Sequence, residues 1–100
     1  MPRIRINPYE SVRLKFSVPD SGLVEFELEA DRPVKTYIVR PRGVELFDEG
    51  STTFKYYGGF PDERRKQQQE LRLPFDGPWY LLIINPDGKD SVGVTYEVRY

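Results

Sequence analysis

Gly77-Pro-Trp-Tyr-Leu-Leu-Ile-Ile-Asn-Pro-Asp-Gly-Lys-Asp-Ser-Val-Gly-Val-Thr-Tyr-Glu-Val-Arg-Tyr100 is the stretch that decides the fold class. Trp79 to Ile84 is apolar without a break, and Asn85-Pro86-Asp87-Gly88 is turn chemistry. Beyond the turn, Val92, Val94, Tyr96, Val98 and Tyr100 alternate with Gly93, Thr95, Glu97 and Arg99. A period of two marks a strand with one buried and one wet face. The stretch predicts a β-hairpin whose first strand is apolar on both faces. In that strand Trp79, Leu81 and Ile83 point one way, and Tyr80, Leu82 and Ile84 the other. One set needs a core, and the other needs a second cover.

Outward from this stretch the same period recurs. Val12, Leu14, Phe16 and Val18 alternate with Arg13, Lys15 and Ser17, and Val24, Phe26, Leu28 and Ala30 with Glu25, Glu27 and Glu29. Asp20-Ser21-Gly22 between them suits a three-residue hairpin loop. The predicted register sets Phe16 against Phe26, Lys15 against Glu27 and Arg13 against Glu29, because a one-residue slip would place Phe opposite Glu. Val34 to Val39 is a further strand, with Thr36 and Ile38 inward and Tyr37 and Val39 outward. Val44 to Gly50 reads as a turn or a short helical segment. Thr52 to Tyr57 reads as a strand, Pro61 to Gln69 as a polar loop, and Leu71, Leu73 and Phe75 as a strand ending at Asp76. With Arg3 to Ile6 the count is seven to eight strands. The expectation is an all-β single domain over residues 1–100: an antiparallel β-sandwich, jelly-roll or Greek-key-like, with an immunoglobulin-type sandwich as the competitor.

Composition narrows the chemistry. The 15 basic and 16 acidic residues nearly cancel, so no global field draws the chain to nucleic acid or to a membrane. Cysteine and histidine are both absent. Thiolate nucleophiles, Ser-His and Cys-His pairs, Cys-bound zinc and the commonest general base go with them. No run approaches the ~18 apolar residues of a membrane span. No apolar leader follows Met1, so a cytoplasmic location is expected.

Tyr56-Tyr57-Gly58-Gly59, the alternating strand ending at Leu73-Pro74, and Gly77-Pro78-Trp79-Tyr80-Leu81-Leu82-Ile83-Ile84-Asn85 together resemble a bacterial domain-of-unknown-function family. Its members carry a Tyr-Tyr-Gly-Gly turn, a short strand, then Gly-x-Trp and an apolar strand closed by Asp or Asn. The stretch is also similar to strands of GOLD-like accessory sandwiches. The likeness covers roughly the C-terminal half. It implies a β-sandwich that accompanies other proteins, sometimes TIR-type signalling domains, and it brings no catalytic residue.

Several residue groups are candidates for function. Tyr80, Leu82 and Ile84 would share an outward face with Tyr37 and Val39, a patch too apolar for bare water and suited to a protein partner or a second copy. The alternative is a carbohydrate or small ligand held by Tyr57, Phe60, Asn85, Asp87 and Asp90, with Asn85 to Asp90 as a possible calcium loop. Turn chemistry alone also accounts for that loop, and no EF-hand spacing is met. Glu25, Glu27 and Glu29 read as a solvated charge ladder rather than an acid–base site. Arg64-Arg65-Lys66 lies between Asp62, Glu63 and Glu70, which cancel its charge. The sequence therefore predicts a non-catalytic interaction or accessory module that self-associates or docks on a protein, without metal or cofactor.

Overall fold

The computed structural model describes residues 2–51 and 53–100. Within them β1 (Arg3–Ile6), β2 (Ser11–Val18), β3 (Leu23–Val39), α1 (Pro41–Asp48), β4 (Arg64–Arg72), β5 (Gly77–Ile84) and β6 (Val92–Arg99) follow one another. Every strand pairing is antiparallel. The six strands form one curled sheet in the order β1-β6-β3-β5-β2, with β4 added to β3 beside that path.

β3 is the spine, 17 residues long. Its first half lies between β4 and β6, where Phe26 faces Gln69 on one side and Val98 on the other. Its second half leaves β6, keeps β4 only at Val34 opposite Arg64, and pairs with β5, Tyr37 opposite Leu82. The change of partner falls at Asp31 to Pro33. Proline has no N–H for a ladder, and at the same corner Asp31 Oδ1 accepts the Gly93 N–H at 3.0 Å, a bond from a side chain where a strand would otherwise give one. Alternation survives the bend: Val24, Phe26, Leu28, Ala30, Val34, Thr36 and Ile38 are all buried. The two strands expected at Val24–Ala30 and Val34–Val39 are thus one.

The curl closes over a core built from both halves: Phe16 and Val18, the inward face of β3, Trp79, Leu81 and Ile83, and Val92 and Val94. Trp79 has no exposed surface, and its indole N–H donates to Phe75 O at 2.9 Å. Burying each large apolar side chain contributes roughly 1.5–3 kcal/mol before chain entropy is set against it.

Several expectations about pairing and secondary structure are corrected. β2 does not pair with β3: Phe16 faces Trp79, Lys15 faces Tyr80, and Arg13 faces Leu82 on β5. β5 and β6 form no hairpin either, since β5 pairs with β2 and β3 while β6 pairs with β1 and β3. In both cases the turn carries the chain from one half of the curl to the other. Strands facing each other across a core match apolar for apolar just as ladder neighbours do, so periodicity does not separate the two arrangements. The Glu ladder accordingly meets Arg99 of β6, which bonds Glu25 and Glu27, rather than Lys15 and Arg13.

The expected polar loop Pro61–Gln69 is mostly strand. Gln67 is buried in β4, where its amide donates to Val34 O at 3.0 Å and its carbonyl accepts the Thr36 hydroxyl at 2.6 Å. A buried amide with both ends bonded is as much core as a leucine. The regular strand ends at Arg72, so Leu73 is buried beyond it and Phe75 is exposed. Residues 53–57 form no regular strand, and Thr52 lies outside the described residues. The chain runs beside β3 only at Tyr57 to Phe60, through Tyr57 N–H to Ile38 O, Ile38 N–H to Gly58 O and Thr36 N–H to Phe60 O. Gly59 is obligatory there: its φ is +102°, and a Cβ would strike the Thr36 carbonyl.

Candidate functional site

The outer face of the β3–β5–β2 half carries the apolar patch that the sequence predicts. The ladder sets Lys35 opposite Ile84, Tyr37 opposite Leu82 and Val39 opposite Tyr80. Tyr37, Val39, Tyr80, Leu82 and Ile84 therefore come together on one surface. That surface is covered for most of its length by the chain itself, which corrects the expectation of an open face. Val39 and Leu82 have no exposed surface, Val44 is buried on them, and Tyr37, Phe47, Phe54 and Tyr80 pack around them. The cover is α1 and the segment after it, not residues 61–69.

The sequence builds this cover locally. Pro41 opens α1 with its φ already helical. Gly43 lies against β3, where a Cβ would come 2.9 Å from Val39 Cβ, so its lack of a side chain lets the helix rest on the sheet. The helix ends in a Schellman closure, with Gly50 N–H bonded to Phe47 O and Ser51 N–H to Leu46 O, both at 3.0 Å. Arg13 of β2 grips both carboxylate oxygens of Asp48 in the last turn. That hydrogen-bonded pair holds the Asp48 carboxyl below its ordinary range.

Eight helical residues span about 12 Å, enough to cover the Val39–Leu82 end of the patch. Toward Lys35 and Ile84 the cover stops and a groove of about 420 Å³ opens, with Tyr9, Lys35, Tyr37, Phe47, Phe54 and Ile84 among its lining residues. Its aromatic wall is ordered edge to face. Ring centroids lie 5.2 Å apart for Tyr37 and Phe54 and 6.0 Å apart for Phe47 and Phe54, and Tyr56 stands 5.0 Å behind Tyr37. Burial, then Tyr56, pushes the Tyr37 phenol above its ordinary value, so it stays a neutral hydroxyl well past neutral pH. Tyr9 stands at the mouth, 77% exposed. Its backbone has φ +60°, a conformation a bulky residue rarely adopts. The Asn7–Glu10 turn and the Tyr9 N–H bond to Asp87 O at 3.1 Å hold it there.

The groove lining holds one cation, Lys35, and no carboxylate. The best-placed acids are engaged elsewhere: Glu25 and Glu27 with Arg99, Asp48 with Arg13, Asp87 and Asp90 with Arg32. Among the described residues no cluster of Asp, Glu, His or Cys is arranged to hold a metal ion.

The residues of the alternative ligand site fall in two places. Tyr57 packs edge to face on Trp79 at 4.9 Å, and Phe60 on Phe26 at 6.1 Å, both against the main core. Asn85 has no exposed surface, and its amide donates to Ile6 O, Asn7 O and Asp90 O at 3.1, 3.3 and 2.9 Å while its carbonyl accepts Asp87 N–H at 3.0 Å. Asp87 Oδ1 accepts the N–H groups of Lys89 and Asp90. These bonds hold its carboxyl below the ordinary range, with Arg32 adding to the effect. Asn85 Oδ1 and Asp87 Oδ1 thus serve the turn, and Asp87 Oδ2 and Asp90 Oδ2 face Arg32.

Tyr9, Lys35, Phe47, Ser51 and Phe54 line the groove without having been singled out by sequence. Val44 and Phe47, one helical turn apart, carry a detectable signal of a one-sided apolar face. Tyr9 carries none, because its place depends on a left-handed turn. No protein-family model matches the chain, and no curated protein matches it in sequence.

Proposed function

We propose that this chain is a non-catalytic protein-interaction module that receives an extended segment of a protein partner in the Tyr9–Lys35–Phe54 groove. The observation that carries this reading is the unfinished cover: an aromatic layer closed by α1 at one end and open at the other. Ordered aromatic side chains around a concave site, with a polar group at the rim, are the usual composition of a binding hot spot. Lys35 favours a partner segment with a carboxylate beside its apolar anchor. The likeness of Phe54–Asn85 to accessory sandwiches agrees with this role, and we read the two halves of the curl as the layers of a jelly-roll or Greek-key-like sandwich working in the cytoplasm. A second reading, a carbohydrate stacked on a ring, is favoured by the exposure of Tyr9 at the mouth.

Selection from a random peptide library tests the first reading. Enriched peptides should share an aromatic or aliphatic anchor next to Asp or Glu, and their NMR shift changes should centre on Tyr9, Tyr37 and Phe54. Lys35→Glu should shift the preference from acidic to basic neighbours. No enrichment, or a consensus indifferent to residue 35, refutes it. Shifts at Tyr9 with oligosaccharides alone would favour the second reading.

A further inference from the structure

β4 is an edge strand with an open side. It pairs with β3 through Lys66–Arg72 in unbroken register, and among the described residues no backbone group bonds it from the other side. Free edges attract other strands, and proteins usually blunt them with lysine or other charges, proline or a bulge. Between Lys66 and Arg72 β4 has no proline and no register shift. Its charges are arranged in another way. Lys66, Gln68 and Glu70 share the exposed face, while Gln67 and Gln69 point to the covered side.

Lys66 faces Glu29 across the ladder with β3, beyond ion-pair distance. Lys66 and Glu70 enter no ion pair among the described residues. Glu70 lies directly opposite Glu25, a like charge, and Glu25 has Arg99 as its own partner. Like charges across a ladder are destabilising unless something offsets them.

We infer that a second copy of this chain docks on β4, strand to strand and antiparallel, about a two-fold axis at Gln68. That register sets Lys66 of each copy opposite Glu70 of the other, Gln68 against Gln68, and Gln67 against Gln69. The dimer gives Lys66 and Glu70 of each copy an ion-pair partner, and each edge satisfies the other's free backbone groups. The same register brings Arg64 opposite Arg72 at the two ends. Each is already held within its own chain, Arg64 by Asp62 at 2.9 Å and Arg72 by Ser21 O at 2.8 Å. The surface is separate from the groove, so this inference stands or falls without the proposed function.

Sedimentation velocity of the full chain from micromolar to several hundred micromolar, with circular dichroism to confirm folding, tests it. The unmutated chain should form dimers whose dissociation constant rises with salt. Lys66→Glu and Glu70→Lys should each weaken the dimer about tenfold or more, because two attractive pairs become two repulsive ones. The double variant should return to within about threefold of the unmutated chain. A monomer throughout the concentration range, a dimer indifferent to either single swap, or a double variant no better than the singles overturns the inference. A dimer broken by Phe54→Ala but not by the swaps overturns it too and moves self-association to the groove.

Discussion

Replacing Asn85 separates a structural bolt from a metal ligand. Its side chain ties together the β1–β2 turn, the end of β5 and the β5–β6 loop. Asn85→Ala removes an amide that serves three carbonyls and one N–H, all in a region without exposed surface at residue 85. Buried groups left without partners cost roughly 1–3 kcal/mol each, while water entering the gap recovers part of that. The expected loss is ~2–4 kcal/mol. With a urea m-value of about 1–1.5 kcal/mol/M for a domain of this length, the midpoint falls by ~2 M.

Asn85→Asp is the sharper variant. It keeps the shape but turns a two-donor amide into an acceptor-only carboxylate facing the carbonyls of Ile6, Asn7 and Asp90. It should cost at least as much as alanine at neutral pH. The buried carboxyl would have its pKa raised above the unfolded value, so its destabilisation is full above the folded pKa and eases as pH falls through it. A calcium ligand would behave in the opposite way: aspartate would bind as well or better, and added calcium would restore the melting temperature by mass action. An Asn85→Ala variant within ~1 kcal/mol of the unmutated chain, or an Asn85→Asp variant rescued by calcium, would refute the bolt.

Leu82→Ala should cost ~2–5 kcal/mol in urea unfolding, since Leu82 is enclosed between sheet and helix. Leu82→Glu should unfold the domain or detach α1 rather than yield a folded, dissociated protein; a native-like, stable variant would show that α1 does not cover this face in solution. Asp48, Asp62 and Asp87 are held below the ordinary carboxylate value, the first two chiefly by arginine hydrogen bonds and Asp87 chiefly by backbone N–H groups. Depressed folded pKa values confer stability that is present above about pH 4 and lost as pH falls through them. The urea midpoint should therefore drop below about pH 4, less steeply in Asp48→Asn; a midpoint that holds or rises on acidification contradicts these pairings.

Strand existence was largely legible because one period governs it. Arg3–Ile6, Val12–Val18, Trp79–Ile84 and Val92–Val98 all fall on strands, and the helical alternative for Val44–Gly50 falls on α1. Partner choice was not. Phe16 matches Phe26 in apolar character, yet the two lie in different halves of the curl and Phe16 pairs with Trp79. β4 was hidden because two of its inward side chains, Gln67 and Gln69, are amides. Gln67 reads as solvent-facing until Thr36 and Val34 are known to bond both its ends.

The doubly apolar β5 admits two solutions, a second layer from its own chain or a face shared with another molecule. Its sequence alone does not choose between them, because each outward residue gains the same burial from either cover. The choice lies upstream. Val44, Phe47, Phe54 and Tyr56 sit in a stretch too short for a further layer of sheet but rich enough in large side chains to form a lid. Such a lid has a fixed reach. Its helical part starts where Pro41 follows β3 and closes at Gly50, so it covers the near end of the patch and stops short of Lys35 and Ile84. The groove is therefore a consequence of chain length rather than of a dedicated binding motif. Extending the cover by one turn, with residues inserted before Gly50, should close the groove and stabilise the fold while abolishing peptide binding there. Stabilisation with binding retained would place the partner elsewhere.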